Sequence, residues 1–396
     1  MNTQQTALLS HGELRWLIDH HKLDVTTVSP LAFAAQQAPE ESERALSDRG
    51  VLTDDWRVAL RVLARPFHQV RALAPGLDST RIARFYAGPA GRSGELVGCW
   101  PSGDGVSISF PWTPRAIADA AGAVVSAALP IPPDPFAATL DPAGLMVLMA
   151  AADMIRSAHL NSMIERQPQL DLRFSETDLQ DLIARGSAED DARWLVTLLR
   201  LTGPPWAQPG EDALATGLGE LAEAQLVKRE GDAWEPTGTL HRLAAYWTPS
   251  LPAVAHEVVT LDDDNAMQQY KHCIALRGGG PLWLIDFDGL ADGQPRATLR
   301  SLDGKTYLKA ITALVQPPEM PATEPAQEPS DEPVPKPAGV SLCDSCGAPL
   351  QPNQGFCSKC GTRVQSLQPR TCPNSACRKP LREGAKFCAA CGTRIA

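Results

Sequence analysis

Eight of the ten cysteines in this 396-residue chain fall after residue 340, and they fall in pairs. The first set is Cys343-x2-Cys346, ten residues, then Cys357-x2-Cys360. The second is Cys372-x4-Cys377, ten residues, then Cys388-x2-Cys391. A C-x2-C turn aims two thiolates at one point. Two such turns joined by a β-hairpin complete a tetrahedron around zinc, at about 2.3 Å per bond. Each set therefore has the donors for one Zn2+, two ions in all. With four thiolates per ion, no position stays open for a reacting water. Glycines after Cys346, Cys360 and Cys391 suit the left-handed turn that brings backbone N–H groups to the sulfurs. Arg378 follows Cys377 instead, and the four-residue spacer makes that knuckle looser. A disulfide framework and iron–sulfur ligation are alternatives for the same residues.

The two sets repeat at an offset of 31: Pro349-Leu350 matches Pro380-Leu381, Phe356-Cys357 matches Phe387-Cys388, and Cys360-Gly-Thr-Arg363 matches Cys391-Gly-Thr-Arg394. Phe356 and Phe387 are the small apolar core of each unit. Metal supplies the rest, since structural zinc contributes on the order of 10–16 kcal/mol in small peptides. These residues resemble the double zinc-ribbon family, with ribbons at 341–364 and 370–396.

Ahead of the ribbons, residues 317–340 hold eight prolines and five acidic residues and show no apolar periodicity. Such a segment is an extended, semi-rigid linker. Charge divides there. Residues 343–396 carry eight Lys/Arg against two Asp/Glu, net +6, so the rest of the chain holds −16 of a total of −10. Eight thiolates and two zinc ions bring the loaded tail down to about +2. The acidic total argues against whole-chain binding to nucleic acid or anionic membrane. No apolar run reaches the ~18 residues of a membrane span. The longest, Gly144 to Ile155, is broken by Asp153 and reads as a buried helix. The first residues, MNTQQTALLSHGELRW, lack the basic start and cleavage site of a secretory signal, so a cytoplasmic location is expected.

Residues 1–316 contain an internal repeat. Leu46, Val51-Leu52, Asp54-Asp55, Trp56 and Leu60…Leu63-Ala64 correspond to Leu221, Leu226-Val227, Asp232, Trp234 and Leu240…Leu243-Ala244. The pattern predicts a helix, a short hairpin carrying a tryptophan, and a second helix, once per half. Strands follow at 80–87, 95–100 and 105–110, then a helix from Thr113-Pro114 to about Ala128. The later counterparts are strands at 270–276, 282–287 and 297–300, with a helix capped by Asp303 and running to about Val315. Between the halves, Pro142 to Arg166 has helical periodicity, Ser175-x-x-Asp178 reads as a capping box, and 190–201 makes a further helix. The expectation is an α+β body of two pseudo-twofold βββα/winged-helix-like halves, about 1–135 and 136–316, with intervening helices.

Signatures of common enzymes are missing: GxxxxGK[ST], GxGxxG after a strand, HExxH and GxSxG. Leu284-Ile285-Asp286-Phe287-Asp288-Gly289 resembles the first motif of haloacid-dehalogenase-type phosphatases. Only about 30 residues remain before the linker, too few for that fold, and a strand ending in an Asp-Gly turn is the expected structure. No catalytic residue and no cofactor-binding residue besides the zinc ligands is assigned. His20-His21 is expected at a helix end. His272 and Cys273, neighbours on a strand, point to opposite faces. Cys99 and Cys273 read as buried thiols, and Trp56 and Trp234 as core anchors. Residues 214–247 have the outline of a winged helix, yet Leu218 to Leu226 carries Glu220 and Glu223 and no basic residue before Lys228. A DNA reader needs Arg and Lys there, so a structural or protein-binding element is expected.

Segments 8–18 (LLSHGELRWLI) and 43–65 (ERALSDRGVLTDDWRVALRVLAR) followed by Pro66, together with the βββα units, make the body resemble the EspG family of type VII secretion chaperones. That resemblance implies an opening helix, a pseudo-twofold α+β fold, no enzymatic activity, and binding of helical secreted substrates. The ribbons on their proline linker depart from the family's pattern. The expected function is a non-enzymatic protein-binding adaptor or secretion-type chaperone with a tethered double zinc ribbon. The alternative is a zinc-ribbon regulator associated with nucleic acid.

Overall fold

The computed structural model describes residues 4–34, 43–76, 79–92, 94–103, 105–166, 172–204, 211–248, 251–290 and 292–319. Two units are distinguished, Met1–Pro321 and Ala322–Ala396. The linker from residue 320 onward and both ribbons lie outside the described residues.

The first half opens with strand β1 (Gln5–Ser10), which passes directly into helix α1 (His11–His20). Ser10 makes this junction. Its side chain accepts from the Glu13 N–H while the Glu13 carboxylate accepts from the Ser10 N–H, a complete capping box. The opening helix implied by the resemblance is present as α1, and it is preceded by a strand that takes up Leu8 and Leu9. Helices α2 (Glu43–Asp48) and α3 (Asp54–Ala64) follow, then strands β2 (His68–Pro75), β3 (Thr80–Ala87), β4 (Leu96–Ser102) and β5 (Gly105–Trp112), and helix α4 (Pro114–Val124).

The second half repeats this order with more helix. Strand β6 (Ala137–Leu140) leads into α5 (Pro142–Glu165), then α6 (Glu176–Ala188), α7 (Leu195–Thr202) and α8 (Glu211–Glu223). A hairpin of β7 (Val227–Glu230) and β8 (Ala233–Pro236) precedes α9 (Gly238–Trp247). Strands β9 (Ala253–Leu261), β10 (Met267–Arg277), β11 (Leu282–Asp288) and β12 (Arg296–Leu302) and helix α10 (Gly304–Val315) complete the half.

Ten strands form one antiparallel sheet in the order β1-β5-β4-β3-β2-β9-β10-β11-β12-β6. From either edge inward the order is the same: opening strand, last, third, second, first of the meander. A pseudo-twofold axis therefore passes between β2 and β9, whose register pairs Val70 with Val258 and Arg71 with Glu257. Each half contributes five strands, where the sequence suggested three. β1, β2, β6 and β9 are the additions.

The repeat holds in the helices. Leu46 and Leu221 are buried, as are Leu60, Leu63, Ala64 and Leu240, Leu243, Ala244. It does not hold in the hairpin: among the described residues the second half forms one and the first does not. Trp56 lies inside α3. Thr53 accepts from the Trp56 N–H at 3.5 Å, and Asp54 and Asp55 sit in the first turn, where negative charge stabilises a helix. Helix geometry at 54–56 thus wins over a hairpin.

The sheet is covered on both faces. On one, α4 and α10 pack over Val70, Phe85, Val254, Val258, Cys273 and Leu284. On the other, α1–α3 cover the first half through Leu9, Val97, Ile108 and Phe110. Helices α5–α9 cover the second half through Leu276, Trp283, Ile285 and Leu299. Trp247 and Trp283 meet edge to face at 5.8 Å. Each fully buried Leu, Ile or Val of these faces contributes roughly 1.5–3 kcal/mol.

Helix α5 has the length and composition to cross a membrane, with mean hydropathy 1.2, yet 72% of that window is buried inside the body. It contacts α6, α7, α8 and α9. Asp153 on its buried side pairs with Arg156, accepts from the Val196 N–H at 3.2 Å, and Arg156 donates to the Arg193 carbonyl at 2.8 Å. A helix that is apolar nearly all round is the core helix of a bundle here.

Candidate functional site

The eight cysteines proposed from sequence as zinc ligands, Cys343, Cys346, Cys357, Cys360, Cys372, Cys377, Cys388 and Cys391, lie outside the described residues. Their chemistry is that of a zinc site: two sets of four thiols, the soft donors that select zinc. Among the described residues, no group of three or more His, Cys, Asp or Glu is arranged to hold a metal ion. Cys99 and Cys273 are free and buried. Burial pushes the Cys99 thiol up to about 12 and raises Cys273 as well. Neither is a nucleophile at neutral pH.

Register across the face under α10 brings His256, Cys273 and Asp286 side by side on β9, β10 and β11. Sequence reading did not foresee this row, because its members come from three strands. Asp286, half of the aspartate pair weighed for catalysis, accepts from Arg300 Nη2 at 2.7 Å and Nε at 3.2 Å. Asp288 ends β11, and Gly289 takes the turn with φ +67°. His256 is fully buried, and neither ring nitrogen has a hydrogen-bond partner. Desolvation lowers it to about 4, so it is neutral. A protonated thiol, a neutral imidazole and a carboxylate neutralised by arginine form a packed row.

His272, on the opposite face from Cys273, meets the Thr202 carbonyl through Nε2 at 2.6 Å. His68 meets the Val315 carbonyl through Nε2 at 3.2 Å. Desolvation lowers both to about 4. His20 and His21 do close α1, as expected. The pseudo-twofold seam is also lined by Gln69, Arg71, Arg84, Tyr86 and Glu257, around a cleft of about 220 Å³. There Arg71 pairs with Glu257 at 3.2 Å.

The wing at β7–β8 carries Lys228 and Arg229. Lys228 is held by Glu230 at 3.2 Å and Glu235 at 3.1 Å, Arg173 pairs with Glu230 at 3.2 Å, and Arg229 lies over the Trp234 ring at 5.8 Å. Trp234 is buried and also exchanges two backbone hydrogen bonds with Phe174. Carboxylates hold Lys228 and Arg173, while Arg229 lies on the Trp234 ring and donates to the Gly231 carbonyl at 3.2 Å, so most of the positive charge at the wing is already paired.

Near its C-terminal end, α5 presents Leu160, Met163 and Ile164 to solvent, 41, 57 and 78% exposed. At spacings of three and four residues they share one face. Helical periodicity in the sequence marked the helix, but only packing shows that its first part is enclosed and its last turns are bare.

A search of curated proteins returns no match. Among solved structures, the chain is similar to that of the Mycobacterium tuberculosis type VII secretion system chaperone EspG5 in complex with a PE25–PPE41 dimer. The TM-score is 0.39 and the identity 12%, over 80% of this chain and 97% of that one. A likeness of that degree carries no functional weight. The tail is different: residues 343–392 match the double zinc ribbon family, which implies a zinc-binding module at the C-terminal end.

Proposed function

We propose that this chain is a non-enzymatic protein-binding adaptor or secretion-type chaperone. The body holds a protein client, helical in the sense its sequence resemblance implies, and the ribbons reach a second surface on the tether 317–340. The observation that carries the reading is the bare apolar face of Leu160, Met163 and Ile164 on an otherwise acidic body. Apolar side chains clustered on a charged surface favour a protein partner. The commitment of Asp286 to Arg300 supports a non-catalytic body. In the tail, Cys343, Cys346, Cys357 and Cys360 hold one Zn2+, and Cys372, Cys377, Cys388 and Cys391 a second. A cytoplasmic location suits these thiolates, which a reducing compartment preserves. Two tethered contacts gain from effective concentration, so each need only be weak.

The test is a photo-crosslinking residue placed at position 164 of the full chain in cells. The expected outcome is a discrete protein adduct that disappears when Leu160 and Met163 are both changed to Asp. Adducts indifferent to those changes, or none, would sink the client reading. Native mass spectrometry of the same chain should show two zinc ions, and one after Cys343→Ser. The eight Lys/Arg of the tail favour a second reading, a zinc-ribbon regulator associated with nucleic acid. Retention on nucleic acid that falls steeply with salt would establish it.

A further inference from the structure

The outer strands of the sheet, β1 and β6, end in the same arrangement. Each runs straight into a helix, with Ser10 and Asp141 as the N-caps of α1 and α5. At β1, Arg49 Nη2 donates to the Leu8 carbonyl, and the Ser10 N–H donates to Glu13 Oε2 at 2.8 Å. Arg49 Nη1 and Glu13 Oε1 close the pair at 2.6 Å. At β6, Arg296 Nη2 donates to the Thr139 carbonyl at 3.1 Å, and the Asp141 N–H donates to Glu220 Oε2 at 2.8 Å. Arg296 Nη1 and Glu220 Oε1 close that pair at 3.0 Å.

Position for position the two arrangements agree. In each, arginine takes the carbonyl of one residue and glutamate takes the N–H two residues later. The side chains do not come from equivalent elements. The acid belongs to α1 in one half and α8 in the other. The base follows α2 in one half and opens β12 in the other. Simple duplication of a sequence motif does not produce this.

The geometry has a clear counterpart. A residue of an incoming parallel strand donates to one carbonyl and accepts from the N–H two residues further on. Each Arg–Glu pair presents that donor and that acceptor to an outward edge. Unfilled edge groups are templates for pairing with another chain, and blocking them is a known protective device. We propose that Glu13–Arg49 and Glu220–Arg296 are edge clamps. They occupy the backbone positions through which a second copy of this chain would add a strand, and so keep the ten-stranded sheet from extending edge to edge.

The test uses the full chain with Arg49→Met and Arg296→Met together, which keep the aliphatic stems and remove the donors. Sedimentation velocity over a concentration series should show larger species than wild type under the same conditions. Adding Leu8→Pro and Thr139→Pro should return the profile to wild type, because proline at an outward edge position removes a pairing N–H. A folded double variant that sediments as wild type overturns the proposal. So does association that persists with the prolines. If near-ultraviolet circular dichroism shows the double variant unfolded, Arg49→Lys and Arg296→Lys decide. Lysine keeps the charge but lacks the planar fork that reaches both partners, so partial association is expected, and wild-type sedimentation again overturns the proposal.

Discussion

The two halves of the body share a strand order and differ in how they are filled. In the first, three short helices cover the sheet and the core is built around Leu14, Leu17, Leu60 and Trp56. In the second, the 24-residue α5 runs through a bundle of four further helices and carries a buried ion pair. The comparison teaches that the duplicated part is the sheet, whose register and edges are constrained, whereas the helical cover is free to change. Among the described residues, the second cover ends in the bare face of Leu160, Met163 and Ile164 and carries the wing.

Acid tests the seam on which both halves depend, and it has the largest expected effect. His68, His256 and His272 lie on β2, β9 and β10, and each is lowered to about 4 by burial. An unfolded histidine titrates near 6.5. Above that value both states are neutral and the stability is full. Between about 6.5 and 4 the unfolded chain binds protons that the fold refuses, so stability falls as pH falls. For three histidines the loss from pH 7 to pH 5 is on the order of 5 kcal/mol. Urea unfolding at a series of pH values reads it, and a flat profile over that window would separate the seam from these side chains.

Asp153→Ala tests the second half alone. It leaves Arg156 buried without its counter-charge and is expected to cost about 3–5 kcal/mol. A loss below about 1 kcal/mol would mean that α5 does not organise its half. In the first half, Leu46→Ala opens a cavity under α2 at an expected cost of about 2–3 kcal/mol. Hydrogen exchange should localise that loss to α1–α3, and spread into α5–α9 would show the two covers to be one cooperative unit. Lys228→Ala on the wing removes only its exposed ion pairs to Glu230 and Glu235, so the urea midpoint should stay close to wild type. A clear loss of stability would make the wing a structural strut.

Six strands of the sheet were legible in sequence because alternation and flanking Gly, Pro or Asp bounded them. These are β3, β4 and β5 in one half and β10, β11 and β12 in the other. The central strands β2 and β9 were not. HQVRALAP and AVAHEVVTL put polar and charged side chains where a central strand is expected to be apolar. Arg71 and Glu257 pair with each other across the seam, and His68 and His256 sit there as neutral buried rings. Edge strands β1 and β6 are short and abut helices, so helical periodicity masked them. Analogy with Trp234 suggests a hairpin at Trp56, while the stronger local signal, Thr53 ahead of two aspartates, points to a helix start. The α5 face was half legible: its periodicity is in the sequence, its exposure is not.

What the sequence determined by itself is chiefly local. Four cysteine pairs at fixed spacing match a double zinc ribbon because, in each ribbon, the ligands that would meet lie within about twenty residues of one another. Helix starts at Ser10, Thr113, Ser175 and Asp303 are fixed by caps that act over three residues. Tertiary structure decided everything that joins distant chain. Arg71 meets Glu257 across 186 residues, and Arg296 meets Glu220 across 76. Such pairs leave no periodic trace, since each forms only after the sheet has brought two unrelated segments into register.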